Sequence, residues 1–209
     1  MDSRRRLAEL RQSGLAVQLG GPVGTFDRHD VVVELATELG LTAPELPWHS
    51  VRSRVVELGS ALAMAAGASA KISLDVILLA QSEVAEVTIG SPGGSSSMPH
   101  KRNPAQAVEA RAAFALAAAN AGILMAAMPG EHERAAGAWQ SEWPALTELF
   151  KVTAGAVDRT ARLLEDLHVD AARMKTNLGP ATGGHSVDTA ASLTDRAVEL
   201  YREEMSHDR

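Results

Sequence analysis

The feature that most constrains the fold is a run without proline, from Trp48 to about Val87, in which apolar residues recur every three or four positions. The recurring positions are Val51, Val55, Leu58, Leu62, Ala65, Ala66, Ala70, Ile72, Val76, Leu79 and Val87. This spacing predicts one helix of about 40 residues, roughly 60 Å long. A domain of this size cannot cover a helix of that length, so the pattern predicts a helical bundle and assembly at least into a dimer.

The rest of the chain also favours helices. Alanine makes up 37 of the 209 residues, and aromatic residues only 3%. Alanine, leucine, glutamate and arginine lose little side-chain freedom in a helix, whereas sandwiches and barrels are richer in aromatic and β-branched residues. We therefore predict an all-α fold without strands. Besides the long helix, helices are expected near 3–13, 29–39, 105–127, 144–167, from 170 and over 187–204.

Two glycine-rich interruptions divide the helical pattern. Three glycines and a proline between Leu15 and Phe26 exclude a helix interior there, and the second interruption spans residues 90–104. We predict a central helical-bundle domain over residues 1–175, which contains the loop 90–104, and a partial carboxy-terminal helical segment over residues 176–209.

Composition and charge exclude several classes of function. The chain has no cysteine, which excludes disulfides, thiolate zinc sites and cysteine nucleophiles. A net charge of −6 argues against nucleic acid as the main partner, because phosphate binding needs a basic surface. The charged residues near Met1 lack the apolar core of a signal peptide, and no uninterrupted apolar run is long enough to span a membrane. We expect a cytoplasmic protein without membrane partners.

The loop 90–104 has the composition of an anion-binding site. A flexible linker would also be rich in glycine and serine, but it has no need of the consecutive residues His100, Lys101, Arg102 and Asn103. Hydroxyl groups, backbone N–H groups and three potential cations together favour anion binding. No Gly-Lys-Ser/Thr sequence closes the loop, so it is not a nucleotide-binding P-loop.

The residues from Gly94 to Pro104, which read GSSSMPHKRNP, closely resemble the signature G-S-S-x-M-P-x-K-x-N-P of the fumarase/aspartase superfamily. The preceding segment 75–86 and the segment Gln18–Thr25 resemble other regions of the same enzymes. Within the superfamily, the pattern from His132 to Trp143 is most similar to the bacterial 3-carboxy-cis,cis-muconate cycloisomerases. The resemblance covers about residues 5–200.

The resemblance implies a fold, a reaction and an assembly. The implied fold is a long-helix bundle of the L-aspartase-like type, with central helices shared in a homotetramer and sites formed between subunits. The implied reaction is an intramolecular lyase step that forms a lactone from a small polycarboxylate, in the protocatechuate branch of aromatic catabolism (the β-ketoadipate pathway). No metal and no organic cofactor is implied. The implied reaction passes through a carbanion beside a carboxylate. Positioned cations and N–H donors of the protein must stabilise the added negative charge of this carbanion.

The motif match also implies roles for single residues. Ser95 matches the family's general base, which needs surrounding donors and a cation because a serine hydroxyl is very weakly acidic. Lys101 and Asn103 match the groups that stabilise the carbanion. Apart from the motif, we expect Arg134, after the Pro-Gly that ends a helix, to be a carboxylate ligand, because its planar fork suits that geometry. The full set of implied substrate-binding residues is Ser96, Met98, Lys101, Asn103, Arg134, Gln18 and Thr25.

Several further residues allow two interpretations. Glu83 and Glu86 suit an acid/base pair, but two exposed carboxylates on one helix face are the more common arrangement. Trp139 and Trp143 suit packing better than stacking on a substrate. His49 lies beside Trp48 and Arg52 and suits a structural histidine better than a site residue, whereas His132 is expected near the site.

The chain departs from the superfamily pattern in its length and in one catalytic group. Members are about twice as long and carry an amino-terminal region with an acid/base histidine that no residue here matches. We therefore expect a fragment, a truncated gene product, or a chain completed by another chain that supplies the amino-terminal part. Two alternatives to the cycloisomerase remain open: an adenylosuccinate-lyase-like elimination enzyme, and a helical assembly module without activity.

Overall fold

The computed structural model describes residues 2–90, 104–133, 135–179 and 187–207. Its α-helices are α1 (Asp2–Glu9), α2 (His29–Leu39), α3 (Ser53–Leu79), α4 (Ala105–Ala127), α5 (Ala138–Glu165), α6 (Ala171–Leu178) and α7 (Val187–His207), and its strands are β1 (Val87–Ile89) and β2 (Leu167–Val169). A π-helical turn, Leu10–Gly14, follows α1. The chain divides into two units, Asp2–Asp170 and the part from Ala171 onward; the second contains α6 and α7.

The core of the first unit is a bundle of α3, α4 and α5, which pack against one another in every pairing. Its buried residues are Leu62, Ala66, Ala117, Leu124, Ala145, Leu149 and Ala156. The alanines let the helices approach closely while the leucines fill the space between them. Burying each leucine contributes about 2 kcal/mol. The predicted all-α bundle is confirmed, with a small two-stranded sheet added to it.

The predicted helix of about 40 residues is wrong at both ends, because α3 covers only Ser53–Leu79. Before it, the indole N–H of Trp48 donates to the backbone oxygen of Val17 at 2.9 Å, which holds this residue outside the helix. After it, the backbone N–H of Glu86 returns to the oxygen of Leu79 at 3.0 Å. The apolar spacing continues past both ends, but long-range hydrogen bonds determine the backbone there.

The expectation of no strands is also wrong. Strands β1 and β2 form an antiparallel pair in which Val87 lies opposite Val169 and Ile89 opposite Leu167. All three residues of β1 are β-branched, which favours a strand, and two of them, Val87 and Ile89, are buried. Because β1 follows α3 and β2 follows α5, the pair joins the ends of two bundle helices.

Helix α5 begins at Ala138, six residues before the predicted start at Pro144. Proline at the first helical position is common, which favours the later start. In the structure, the side chain of Gln140 instead accepts a hydrogen bond from the backbone N–H of Gly137 at 2.9 Å and caps an earlier first turn. This extra turn brings Trp139 and Glu142 onto the helix.

A small second core lies at the amino-terminal end of the first unit. Val17, Val32 and Ala36 are buried together there, and Ala16 pairs with Thr42 in an isolated parallel bridge. Helix α2 ends at Leu39, where the sequence predicted its end, and Gly40 follows it with a left-handed φ of 62° that glycine adopts without strain. This core holds the glycine-rich segment 15–26 against the segment that precedes α3.

Two of the described helices, α3 and α4, are long and apolar enough to cross a membrane by length and composition alone. The core helices of bundles meet the same criteria. Here the two helices pack against each other, so their apolar character is accounted for by the bundle.

Candidate active site

The glycines of the segment 15–26 lie close to the side chains of Gln18, in the same segment, and His49. A Cβ atom on buried Gly20 would stand 2.8 Å from Nε2 of Gln18 and 3.1 Å from Cα of Gly24. A Cβ atom on Gly24 would contact Cβ of His49 at 3.6 Å. The backbone of this turn therefore approaches both side chains more closely than most residues allow, and Gly20 in particular leaves no room for a side chain.

The amide of Gln18 is held at both of its ends. Its oxygen accepts the backbone N–H of Trp48 at 3.2 Å, and its nitrogen lies 3.0 Å from Nδ1 of His49. These hydrogen bonds join the first glycine-rich segment to the residues that precede α3. Gln18, one of the predicted substrate-binding residues, thus lies beside a histidine and is already hydrogen-bonded within the protein.

An ion pair joins α5 to the residue that precedes α3. Arg52 donates from Nε to Oε1 of Glu142 at 3.0 Å and from Nη2 to Oε2 at 2.5 Å. The Arg52 side chain is 14% exposed and that of Glu142 is 4% exposed. Parallel hydrogen bonds of this kind satisfy both charges, which an apolar environment requires.

Aromatic rings surround this ion pair. The guanidinium carbon of Arg52 lies 5.3 Å from the centre of the Trp48 ring, a cation–π distance. The His49 ring is 6.4 Å from that of Trp139, which in turn meets Trp143 edge to face at 5.2 Å. The two indole rings therefore pack against each other, and Trp143 is 55% exposed.

One pocket brings these groups together at the junction of α3, α4 and α5. Its polar and aromatic lining among the described residues consists of His49, Ser50, Arg52, His132, Glu133, Trp139 and Glu142. Next to the pocket, Glu131 accepts the backbone N–H of Ala136 at 2.8 Å. Hydrogen bonds from its own backbone N–H and from that of Ala136 lower the pKa of the exposed Glu131 carboxyl. His132 has a φ of 53°, so the segment after α4 makes a sharp turn at the pocket.

Most of the predicted site residues lie outside the part of the chain that the structure describes. These are Ser95, Ser96, Met98, Lys101, Asn103 and Arg134. Gly90 and Pro104, at the two ends of the signature loop, are described, and the backbone N–H of Gly90 donates to the oxygen of Asp166 at 3.0 Å. Thr25 is exposed in the glycine-rich segment.

Sequence reasoning gave too little weight to the pocket residues. His49 lines the pocket, although the sequence favoured a structural role, and Arg52 and Glu142 were not predicted as partners. The one available signal was the cluster Trp48, His49 and Arg52, which combines aromatic, titratable and cationic side chains. Glu83 and Glu86 do not share a helix face, because α3 ends at Leu79 before either residue. Among the described residues, no group of three His, Asp or Glu side chains is placed to hold a metal ion.

Comparison with known proteins places the chain in a family. Residues 1–125 match the family described as Lyase. The chain belongs to this family. The resemblance of residues 94–104 to the fumarase/aspartase superfamily is thereby confirmed, and the residue roles drawn from it stay predictions.

Individual members of the Lyase family give a narrower comparison. The chain is 46% identical to a 3-carboxy-cis,cis-muconate cycloisomerase of Bradyrhizobium diazoefficiens, over 98% of this chain and 47% of that protein. It is 41% identical to a nitrosuccinate lyase of Streptomyces davaonensis, over 92% of this chain and 44% of that protein. The crystal structure of the 3-carboxy-cis,cis-muconate lactonizing enzyme of Pseudomonas putida aligns with a TM-score of 0.77 and 38% identity, over 97% of this chain and 47% of that one. The chain spans about half the length of the curated relatives it matches.

Proposed function

We propose that this chain acts in the cycloisomerisation of 3-carboxy-cis,cis-muconate, as part of an enzyme that forms a lactone from this tricarboxylate. The observation that carries the proposal is the 46% identity, over 98% of the chain, to a protein of that name. The pocket beside α3, α4 and α5 is compatible with it, since its volume of about 20 Å³ admits one oxygen-sized atom of a carboxylate beside N–H donors and aromatic walls. The identity to this cycloisomerase and the composition of the signature loop both favour a small anionic substrate.

The proposed reaction rearranges bonds within one molecule. A carboxylate oxygen of the substrate bonds to an alkene carbon, and the electron pair of the double bond passes to the neighbouring carbon beside another carboxylate. That carbon then takes up one proton to give the lactone. Ser95 is the proposed proton-transfer group: its hydroxyl gives the proton in lactone formation, and its alkoxide takes it in ring opening. The Ser95 alkoxide then regains a proton from solvent, so the net change is that the substrate trianion takes up one proton and becomes the lactone dianion, with no oxidation or reduction.

The ion pair between Arg52 and Glu142 reduces the number of side chains that are available to bind the substrate's carboxylates. Arg52 donates from Nε and from Nη2 to the carboxylate of Glu142, and its Nη1 donates to the backbone oxygen of His49 at 3.4 Å. Its charge is therefore neutralised within the protein. Lys101, Asn103 and Arg134 remain the proposed ligands for the substrate's carboxylates and for the carbanion, with Ser96, Met98 and Thr25 lining the same site.

The first prediction separates proton transfer from binding in the complete enzyme. Ser95→Ala removes the proposed proton-transfer group, so turnover should fall about a thousandfold or more while affinity for an unreactive tricarboxylate stays near normal. Lys101→Met removes a cation that meets the substrate before and during reaction, so binding and turnover should both fall. Absorbance of the conjugated substrate measures turnover, and calorimetry measures affinity.

Ser97→Ala is the matched control, because residue 97 occupies a variable position of the signature. It should retain turnover close to that of the unmodified enzyme. Wild-type turnover by Ser95→Ala would show that another group transfers the proton. No turnover of carboxymuconate by the unmodified enzyme would contradict the proposed function itself.

A second candidate is β-elimination from a substituted succinate. The 41% identity to a nitrosuccinate lyase favours it, since elimination needs the same proton removal beside a carboxylate. Offering carboxymuconate, nitrosuccinate and adenylosuccinate in parallel distinguishes these activities. A stable oligomer that turns over none of the three would favour the assembly module instead.

The proposed assembly is a homotetramer in the cytoplasm, with each site completed by neighbouring subunits and without a metal or cofactor. Exposed apolar side chains on α4 support the assembly: Val108, Leu116 and Met125 are each more than half exposed. Side chains of this kind on a bundle helix are usually covered by another protein surface.

A further inference from the structure

We propose that His49 donates a hydrogen bond from Nε2 to a carboxylate of the substrate, and that Gln18 is the positioning residue that keeps the proton on this nitrogen. The inference rests on the proposed function for the identity of the substrate. It assigns a binding role to a histidine for which sequence favoured a structural one.

The orientation of the Gln18 amide is the first step. The backbone N–H of Trp48 can only donate, so the Gln18 atom 3.2 Å from it must be the oxygen. Trp48 is itself held by its indole N–H, which donates to Val17 at 2.9 Å. The NH₂ group of Gln18 therefore has to face His49.

The tautomer of His49 follows from that orientation. An amide NH₂ group only donates, so Nδ1 of His49, 3.0 Å away, must accept. A neutral imidazole that accepts at Nδ1 carries its proton on Nε2. The hydrogen bond from Trp48 therefore fixes the orientation of the Gln18 amide, and the hydrogen bond from Gln18 fixes the proton of His49 on Nε2.

Nε2 of His49 is buried and has no hydrogen-bond partner within the described part of the chain. An unsatisfied buried donor is costly, and such groups in native proteins usually have a functional reason. The ring lines the pocket, whose volume of about 20 Å³ admits one oxygen-sized atom, so a single carboxylate oxygen that enters it can supply the missing acceptor. A carboxylate is the acceptor that gains most, because hydrogen bonds to ionised groups are the stronger ones.

The surrounding charges permit an anion at this position. Glu142 is the buried carboxylate on the pocket wall, and Arg52 compensates it through two parallel hydrogen bonds. Glu133, the other carboxylate of the lining, is exposed to solvent, and His132 adds a second imidazole. Within the described part of the chain, the pocket therefore carries no uncompensated buried negative charge that would repel the substrate.

Substitution Gln18→Glu tests the proposal with little change of shape. One carboxylate oxygen still accepts the backbone N–H of Trp48, while the other now accepts a hydrogen bond from Nδ1–H of His49. At a pH at which the ring is neutral, the ring proton therefore lies on Nδ1, and Nε2 becomes an acceptor facing a carboxylate. We expect the KM, and the Kd for an unreactive tricarboxylate, to rise about tenfold or more, with a smaller change in kcat.

Three further variants separate hydrogen bonding from charge and from folding. Gln18→Met removes the amide without adding charge and should weaken binding less than Gln18→Glu does. His49→Gln keeps an N–H donor and should retain more affinity than His49→Leu. His168→Gln changes an exposed histidine on β2 and is the control, which should bind as the unmodified protein does.

The decisive measurement is the nitrogen NMR spectrum of the protein with labelled histidine, which reads the tautomer of His49 directly. The proposal expects the proton on Nε2 in the unmodified protein and on Nδ1 in Gln18→Glu. A proton on Nδ1 in the unmodified protein, or equal affinity in His49→Gln and His49→Leu, would overturn it. Absence of carboxymuconate turnover would contradict the proposed function, while the tautomer and the affinity for tricarboxylates would still decide this inference.

Discussion

Arg52 and Glu142 show at the scale of single residues how the pocket is held in shape. They are 90 positions apart in the chain, yet their two parallel hydrogen bonds fasten the start of α3 to the second turn of α5. Both side chains are largely withdrawn from water. Removing charges from water is expensive, so such a pair is stable only while both members are present.

Breaking this pair should destabilise the protein strongly. Arg52→Met and Glu142→Leu each leave one buried charge unpaired, and each should lower the free energy of unfolding by about 3–5 kcal/mol. The double variant removes both charges, so its loss should be clearly smaller than the sum of the two single losses. Unfolding in urea measures all three values.

The exposed ion pair between Arg159 and Glu109 is the control for these single and double variants. Its side chains are 42% and 58% exposed, so Glu109→Ala should cost no more than about 1 kcal/mol. Strictly additive losses at Arg52 and Glu142 would mean that the two groups act independently, contrary to the observed geometry.

At the scale of elements, the contact between α3 and α4 depends on a missing side chain. A Cβ atom on buried Gly59 would stand 2.5 Å from Cδ1 of Leu124 and 3.4 Å from Cδ2 of Leu149. Both leucines are completely buried, so neither has free space into which to move. Glycine in the middle of α3 thus weakens the helix locally but permits the closest approach of its neighbours.

Two glycine substitutions should therefore have opposite effects. Gly59→Ala gains helix propensity but overpacks the core, and we expect a net loss of about 1–3 kcal/mol. Gly122→Ala lies on the exposed face of α4 that the proposed assembly would cover, and within this chain nothing lies within 4 Å of the added Cβ. In the dissociated chain it should gain about 0.5–1 kcal/mol. The unfolding temperatures of the two variants and of the unmodified protein are compared. An increase for both variants would contradict the tight contact at Gly59.

At the scale of the whole molecule, the bundle leaves apolar side chains facing outward. On α4 the exposed large residues are Val108, Phe114, Leu116, Ile123 and Met125. Scattered apolar side chains are normal on protein surfaces, but several on one helix favour a protein interface. The proposed homotetramer would cover them.

Light scattering at micromolar concentration should therefore give a mass above that of the 22.0 kDa monomer. Leu116→Glu combined with Met125→Glu places charges on the proposed interface and should shift the protein to smaller species with unchanged helix content. Leu46→Lys, at a residue that is 78% exposed and lies in a loop, should leave the mass unaltered. A helical monomer in the unmodified protein would contradict the proposed assembly.

Local signals in the sequence were sufficient for several elements. The helix predicted over 105–127 is found at Ala105–Ala127, because Pro104 precedes it and Pro129 with Gly130 follows it. The end of α2 before Gly40 was predicted for a similar reason. The signature from Gly94 to Pro104 identified the superfamily, since eleven consecutive residues fit one pattern.

The sequence by itself therefore determined the all-α class, several helix ends and the superfamily, because each depends on neighbouring residues. Tertiary structure alone decided the limits of α3, the pairing of Val87 with Val169, and the partners Arg52 with Glu142 and Gln18 with His49. These features join residues that are far apart in the chain, and apolar periodicity carries no information about such partners. They exist only once the bundle has packed and burial has made each unpaired donor or charge costly.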